Sequence, residues 1–213
     1  MTEELNECEL GTREYWDKRY EEEIRNYNSH GDVGDIWFGE DIADRIVKWM
    51  EKNTSKQATI ADVGCGNGML LVYLAQSGFE DLSGFDYSEC AIHLAEQVMK
   101  KNNYYFKLVQ CDILKSHGLC SNFDVIVDKG TYDAISLMKD AKKNRTVYIE
   151  NMYECLKNHG FLLLTSCNWT KEELEEQFLS KFTVHCVIPT PQFKFGGKVG
   201  SIVSVVVFKK KHA

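Results

Sequence analysis

The chain has 213 residues, enough for one domain with a buried core and no need of disulfide staples. With 44% hydrophobic and 27% charged residues it reads as a globular protein rather than a disordered or fibrous one. A net charge of −7 and a sequence pI near 5.4 argue against a nucleic-acid-binding face, which needs clustered positive charge.

The N-terminus, Met1 to Glu7, is acidic and lacks the basic-then-apolar order of a signal peptide. No apolar run approaches the ~20 residues of a membrane span. None of the eight cysteines (positions 8, 65, 90, 111, 120, 155, 167 and 186) stands in C-x-x-C spacing, and no H-x₃-H pair accompanies them, so neither a zinc site nor a disulfide scaffold is expected. These features predict a reduced, cytoplasmic protein with no metal, membrane or direct nucleic-acid partner. The run Lys209-Lys210-Lys211 reads as a solvated tail.

Residues 1–54 are aromatic and charged, with Tyr15, Trp16, Tyr20, Tyr27, Trp37 and Phe38 among acids and arginines. They are expected to form a helical lid on a single catalytic core spanning 55–213. From residue 55 a β/α alternation begins. Short apolar runs predict strands at Thr59–Val63, Asp81–Phe85, Tyr105–Cys111, Asp124–Asp128, Phe161–Ser166, Phe182–Ile188 and Ser201–Phe208. Helices are expected between the first five. One carries Leu70, Leu71, Leu74 and Ala75, with Gly78 as its stop. The next is capped by Ser88 and carries Ala91, Ala95, Val98 and Met99. A third carries Tyr148, Met152, Cys155 and Leu156, with Gly160 as its stop, and Thr170-x-x-Glu173 is a capping box for a fourth. Such alternation implies a parallel sheet with helices on both faces. Only a loop with Pro189, Pro191, Gly196 and Gly197 separates the last two strands, too short for a crossover helix, so they must pair antiparallel. The predicted fold is therefore α/β and Rossmann-like: a seven-stranded, mostly parallel sheet ending in an antiparallel hairpin, as in class I methyltransferases.

The chemical signal begins at Asp62-Val63-Gly64-Cys65-Gly66-Asn67-Gly68, where a strand runs into a glycine turn and then a helix. Glycines there permit a tight turn and close approach of backbone to a ligand. Met69 breaks the dinucleotide spacing G-x-G-x-x-G. Asp62, unwelcome beside a pyrophosphate, suits the ammonium of a methionyl group. Asp86, in Phe85-Asp86-Tyr87-Ser88, can accept from both ribose hydroxyls, and Asp112-Ile113 can take the adenine amino group and pack on the base. Three acids at three successive strand ends point to S-adenosylmethionine as cofactor. After the fourth strand stands Asp128-Lys129-Gly130-Thr131, where an incoming amine would meet the methyl group; capping the next turn is the other use of this acid. The Asn/Asp-Pro-Pro-aromatic motif of nucleic-acid amino methyltransferases is absent.

These core motifs, together with Leu10–Trp16, Ile36–Glu40, Asp128–Ile135, Thr165–Leu174, Pro189-Thr190-Pro191 and Phe195-Gly196-Gly197, resemble the eukaryotic protein-lysine methyltransferases of translation elongation factor 1-alpha, in the branch of methyltransferase-like protein 10. The resemblance runs from about residue 10 to about residue 208. It implies elongation factor 1-alpha as protein substrate, and Trp16, Tyr20 and Trp37 closing over the cofactor beside Asp62, Gly64, Cys65, Gly66, Gly68, Asp86, Tyr87, Asp112, Ile113 and Lys129. It also implies a substrate slot of Asp128, Tyr132, Asn168 and Trp169. Aromatic faces stabilise a sulfonium by roughly 0.5–2 kcal/mol, although Trp16 and Trp37 are equally readable as core anchors. Three other readings stay open: a small-molecule methyltransferase, an NAD-dependent dehydrogenase, and a catalytically silent cofactor-binding partner.

Overall fold

In the computed structural model the described residues are 4–115, 122–195 and 198–211; Cys120, Gly196 and Gly197 lie outside them. Nine strands follow in chain order: β1 (Thr59–Val63), β2 (Asp81–Asp86), β3 (Lys107–Gln110), β4 (Phe123–Lys129), β5 (Leu156–Ser166), β6 (Phe182–Val187), β7 (Gln192–Phe195), β8 (Lys198–Ser201) and β9 (Ser204–Lys210). The helices are α1 (Arg13–His30), α2 (Gly39–Asn53), α3 (Met69–Gln76), α4 (Glu89–Lys101), α5 (Thr131–Ser136), α6 (Ala141–Cys155) and α7 (Lys171–Phe178).

Seven strands form one sheet in the order β3-β2-β1-β4-β5-β9-β6. The first five are parallel, while β9 inserts antiparallel between β5 and β6. Period-2 alternation sorts the side chains onto two faces. Ile60, Val125, Val127, Leu163, Val205 and Val207 join α2, α3 and α4 in one core. Ala61, Ile126, Leu162, Leu164, Val206 and Phe208 join α5, α6 and α7 in the other. The order of strands along the sheet reverses between the parallel β1 and β4, so their carboxyl ends open a crevice at the switch point, where ligands bind in open α/β sheets.

The N-terminal segment divides into two parts. α2 is built into the first core through Ile42, Ala43, Ile46, Val47 and Met50, at helical spacing on one face. α1 packs against α4 and adds Tyr20 to the edge of the same core, with Trp16, Ile24 and Tyr27 against it and Glu23 buried beside them.

Three sequence expectations need correction. Leu156 is not the end of a helical face but the first residue of β5, and Gly160 is inside that strand. α6 passes straight into extended backbone at Leu156, and the pairing with β4 slips between Phe123 and Val125, opening an irregular start to β5. His159 takes the left-handed conformation there, and a Cβ on Gly160 would sit 2.9 Å from the Leu156 side chain. β3 is shorter than expected, with Tyr105 left 78% exposed ahead of it. The loop between the last two strands of the sheet carries its own ladder, β7 with β8.

Candidate active site

The crevice is formed where β1, β2 and β4 end. Gly64, Gly66 and Gly68 have φ of +68°, +53° and +74°, a left-handed alternation that only glycine adopts cheaply. Their lack of side chains also serves packing within the protein. A Cβ on Gly64 would lie 1.8 Å from the Thr131 hydroxyl, and one on Gly66 2.6 Å from the Tyr20 hydroxyl. The turn is held to β2, since the Gly64 and Cys65 amides donate to the Phe85 carbonyl at 2.7 and 3.0 Å. Thr131 fastens it to β4 by donating to the Val63 carbonyl at 2.8 Å.

The cleft is lined by Trp16, Tyr20 and Trp37, by Gly64, by Asp86 and Tyr87, by Asp112 and Ile113, and by Lys129 and Asn168, all expected from the sequence. Asp86 is 4% exposed and accepts from the Gly66 amide (3.1 Å) and the Ser88 amide (2.9 Å). Burial, the dominant cause, pushes its pKa up to about 6. Asp112 caps its own turn by accepting from the Leu114 amide at 3.1 Å and pairs with Lys115. The N-terminal aromatics form one group: Trp16 stacks on Tyr20 at 6.1 Å and meets Trp37 edge-on at 5.3 Å, while its indole N–H donates to the Leu10 carbonyl.

Asp62, Cys65, Gly66 and Gly68 do not line the cleft; they lie behind its wall. Asp62 is 2% exposed, and burial raises its pKa to about 7 against the opposing charge of Lys129. Lys129 does line the cleft, its ammonium donating to the Trp37 carbonyl at 3.4 Å; burial lowers its pKa, while Asp62 and Asp128 raise it.

The expected substrate slot is rearranged more deeply. Asp128 is wholly buried and points away from the cleft. Its carboxylate accepts from the Tyr148 hydroxyl (2.5 Å) and from the Thr131 and Tyr132 amides (2.9 and 3.0 Å), the capping use of this acid. Tyr132 packs between Tyr148 and Phe178, and Trp169 is 3% exposed with its N–H on the Ser136 hydroxyl. Of the four residues, only Asn168 reaches the cleft. Sequence reading gave no role to Asp133, Phe38, Met138 or Cys167, which line this end instead, nor to Asn67. Asn67 is buried behind the turn and donates to the Val33 and Asp35 carbonyls at 3.0 and 3.1 Å, tying the glycine turn to the α1–α2 strap.

A glycine turn at the β1 end, an acid closing β2 and a seven-stranded sheet with β9 antiparallel define a class: the chain is an S-adenosylmethionine-dependent methyltransferase. A family described as "Methyltransferase domain" matches residues 54–204. In the solved structures, magnesium protoporphyrin IX methyltransferase from Synechocystis, with adenosylmethionine bound, shares the fold at a TM-score of 0.69 and 14% identity, over 96% of this chain and 98% of that one. The chain is 44% identical to Homo sapiens EEF1A lysine methyltransferase 2, over 94% of this chain and 86% of that protein. It is 40% identical to the Schizosaccharomyces pombe protein-lysine N-methyltransferase efm4, over 96% and 95%. The chain belongs to this family of protein-lysine N-methyltransferases.

Proposed function

We propose that the chain methylates a lysine side chain of translation elongation factor 1-alpha in the cytoplasm. The observation that carries this reading is the 42–44% identity, over nearly the whole chain, to vertebrate relatives named for that substrate, on a chain with a well-lined cleft. The cleft suits the cofactor. Asp86 has two backbone donors and still borders the cleft, leaving carboxylate lone pairs for the ribose hydroxyls. Ile113 offers an apolar face beside Asp112 for the adenine. Lys129, which lines the cleft, would hold the carboxylate of the methionyl group, and the buried Asp62 would favour its ammonium. Trp16, Tyr20 and Trp37 form the aromatic cover.

Bound adenosylmethionine supplies a methyl group on a positively charged, already activated sulfur. The protein's task is then orientation and exclusion of water. The apolar wall of Phe38, Leu137 and Met138 favours the neutral amine that must attack, because desolvation lowers a lysine pKa. Among the described residues no group of histidines, cysteines or acids is placed to hold a metal, and no helix is long and apolar enough to cross a membrane. The proposal assigns no metal, membrane or nucleic acid a part. Incubation with methyl-labelled adenosylmethionine and a eukaryotic lysate should label one dominant protein band, elongation factor 1-alpha. Label confined to small metabolites would replace this reading with that of a small-molecule enzyme.

A further inference from the structure

The two ends of the cleft differ in their acids. Asp86 and Asp112 stand where β2 and β3 end, whereas Asp133 projects from α5 beside Asn168 at the other end. Asp133 is 6% exposed. It accepts from the Ser166 hydroxyl (2.5 Å), the Cys167 amide (2.8 Å) and the Cys167 thiol (3.3 Å), which fix its carboxylate in place. These donors are all neutral. Among the described residues no lysine, arginine or histidine forms an ion pair with it. Burial without a cation is costly for a carboxylate and raises the Asp133 pKa despite its hydrogen bonds, a cost that an incoming ammonium would offset. The charged neighbour of Asp133 is another acid, Asp128, already capped by Tyr148 and the α5 amides. The thiol of Cys167, raised to about 12 mainly by burial and by Asp133, stays protonated as a donor.

The wall beside Asp133 is apolar and held in an unusual conformation. Phe38 has φ of +64°, a genuine outlier for a bulky residue. Its ring lies over Gly130, where a Cβ would approach it to 3.2 Å. Phe38, Gly130, Asp133 and Met138 all line the one cleft, which puts apolar surface and a carboxylate in the same space.

We propose that Asp133, and not Asp128, receives the amino group of the target lysine, in a subsite walled by Phe38, Gly130, Met138 and Asn168. This rests on the protein-lysine reading above. Asp133 draws in the ammonium and sets its direction, while the apolar wall promotes loss of the proton to water before attack.

The test compares Asp133→Asn with the wild type on purified elongation factor 1-alpha. The variant keeps a carbonyl oxygen for the Cys167 amide and turns its amide nitrogen to the Ser166 hydroxyl, so its melting temperature should fall only modestly while its adenosylmethionine affinity matches the wild type. KM for the protein should rise about tenfold or more, the scale of a lost charge-assisted hydrogen bond, with a smaller change in kcat. A probe of charge separates recognition from a merely structural role. n-Butylammonium should compete with the protein substrate on the wild type and lose that effect on the variant, while neutral n-butanol should be equally weak on both. Should the variant fail to fold, the wild type alone decides: butylammonium no more potent than butanol overturns the proposal. An unchanged KM in a folded variant overturns it as well. A wild type that modifies no lysine would sink the lysine reading itself, an outcome distinct from lysine methylation that ignores Asp133.

Discussion

Asp86 is asked to do two things. It latches the glycine turn through the Gly66 amide and offers its remaining lone pairs to the cleft. Asp86→Ala should therefore weaken adenosylmethionine binding by at least the ~1.5–3 kcal/mol of charge-assisted contacts, read by titration calorimetry; unchanged affinity would mean the ribose is held elsewhere. The pH dependence follows from the direction of the shifts. Burial raises Asp86 to about 6 and Asp62 to about 7, above the ordinary carboxylate value near 4. Between about 4 and 7 the free folded protein holds more protons than the unfolded chain, so the contribution of these groups to stability declines as pH rises through that window. A cationic ligand favours their ionised forms. Cofactor affinity should increase from pH 6 to pH 7.5, with proton release on binding detected in buffers of different ionisation enthalpy. Flat affinity without proton release would contradict these environments.

How far single residues were legible depended on whether the signal was local. The glycine turn, Asp86, Asp112 and the Thr170–Glu173 capping box are fixed by neighbours a few residues away, and the structure contains each of these turns and caps. The substrate end was not legible. Asp128 and Lys129 are adjacent on β4, so their side chains leave the strand on opposite faces. Spacing alone does not say which face meets the cleft: Lys129 does, while Asp128 turns to Tyr148. Asp133 sits on a helix of six residues, too short to show a period.

At the level of elements, the strap between α1 and α2 is the informative one. It carries Trp37 and Phe38 into the cleft and contains Gly31, Gly34 and Phe38 in left-handed conformations, followed by Gly39 opening α2. Asn67 pins it to the glycine turn, and the buried Glu23 accepts from the Asp35 amide at 3.2 Å. Asn67→Ala removes two donors and leaves two strap carbonyls unpaired. We expect faster proteolysis within residues 31–38 and weaker cofactor binding, with the melting temperature lowered by the loss of ~1–3 kcal/mol. Protease resistance equal to the wild type would show that the strap is held without Asn67. α3, α4 and α6 were readable because their apolar faces recur at 3.6, and α7 from its capping box, whereas the six-residue α5 gave no such signal. The α6–β5 junction was misplaced because it has no terminating glycine, and the chain changes from helix to strand within one residue.

Over the whole molecule, the mostly parallel sheet and the terminal antiparallel pairing were legible from the β/α alternation and the short last connection, whereas the strand order was not, and the β7–β8 ladder inside that connection had no apolar run to announce it. Net charge is the other global quantity. At −7 the chain favours encounter with a positively charged partner, and such long-range attraction is screened beyond roughly 8–10 Å at physiological salt. kcat/KM for the protein substrate should fall as ionic strength rises while adenosylmethionine affinity changes little; a salt-independent kcat/KM would remove charge from the account of recognition.

The most direct measurement combines purified chain, methyl-labelled adenosylmethionine and folded elongation factor 1-alpha, followed by tandem mass spectrometry of the digested product. Transfer to a lysine side chain, abolished by unfolding the substrate, is the predicted result. Label on arginine, or none on elongation factor 1-alpha under conditions where adenosylmethionine binds, would contradict it.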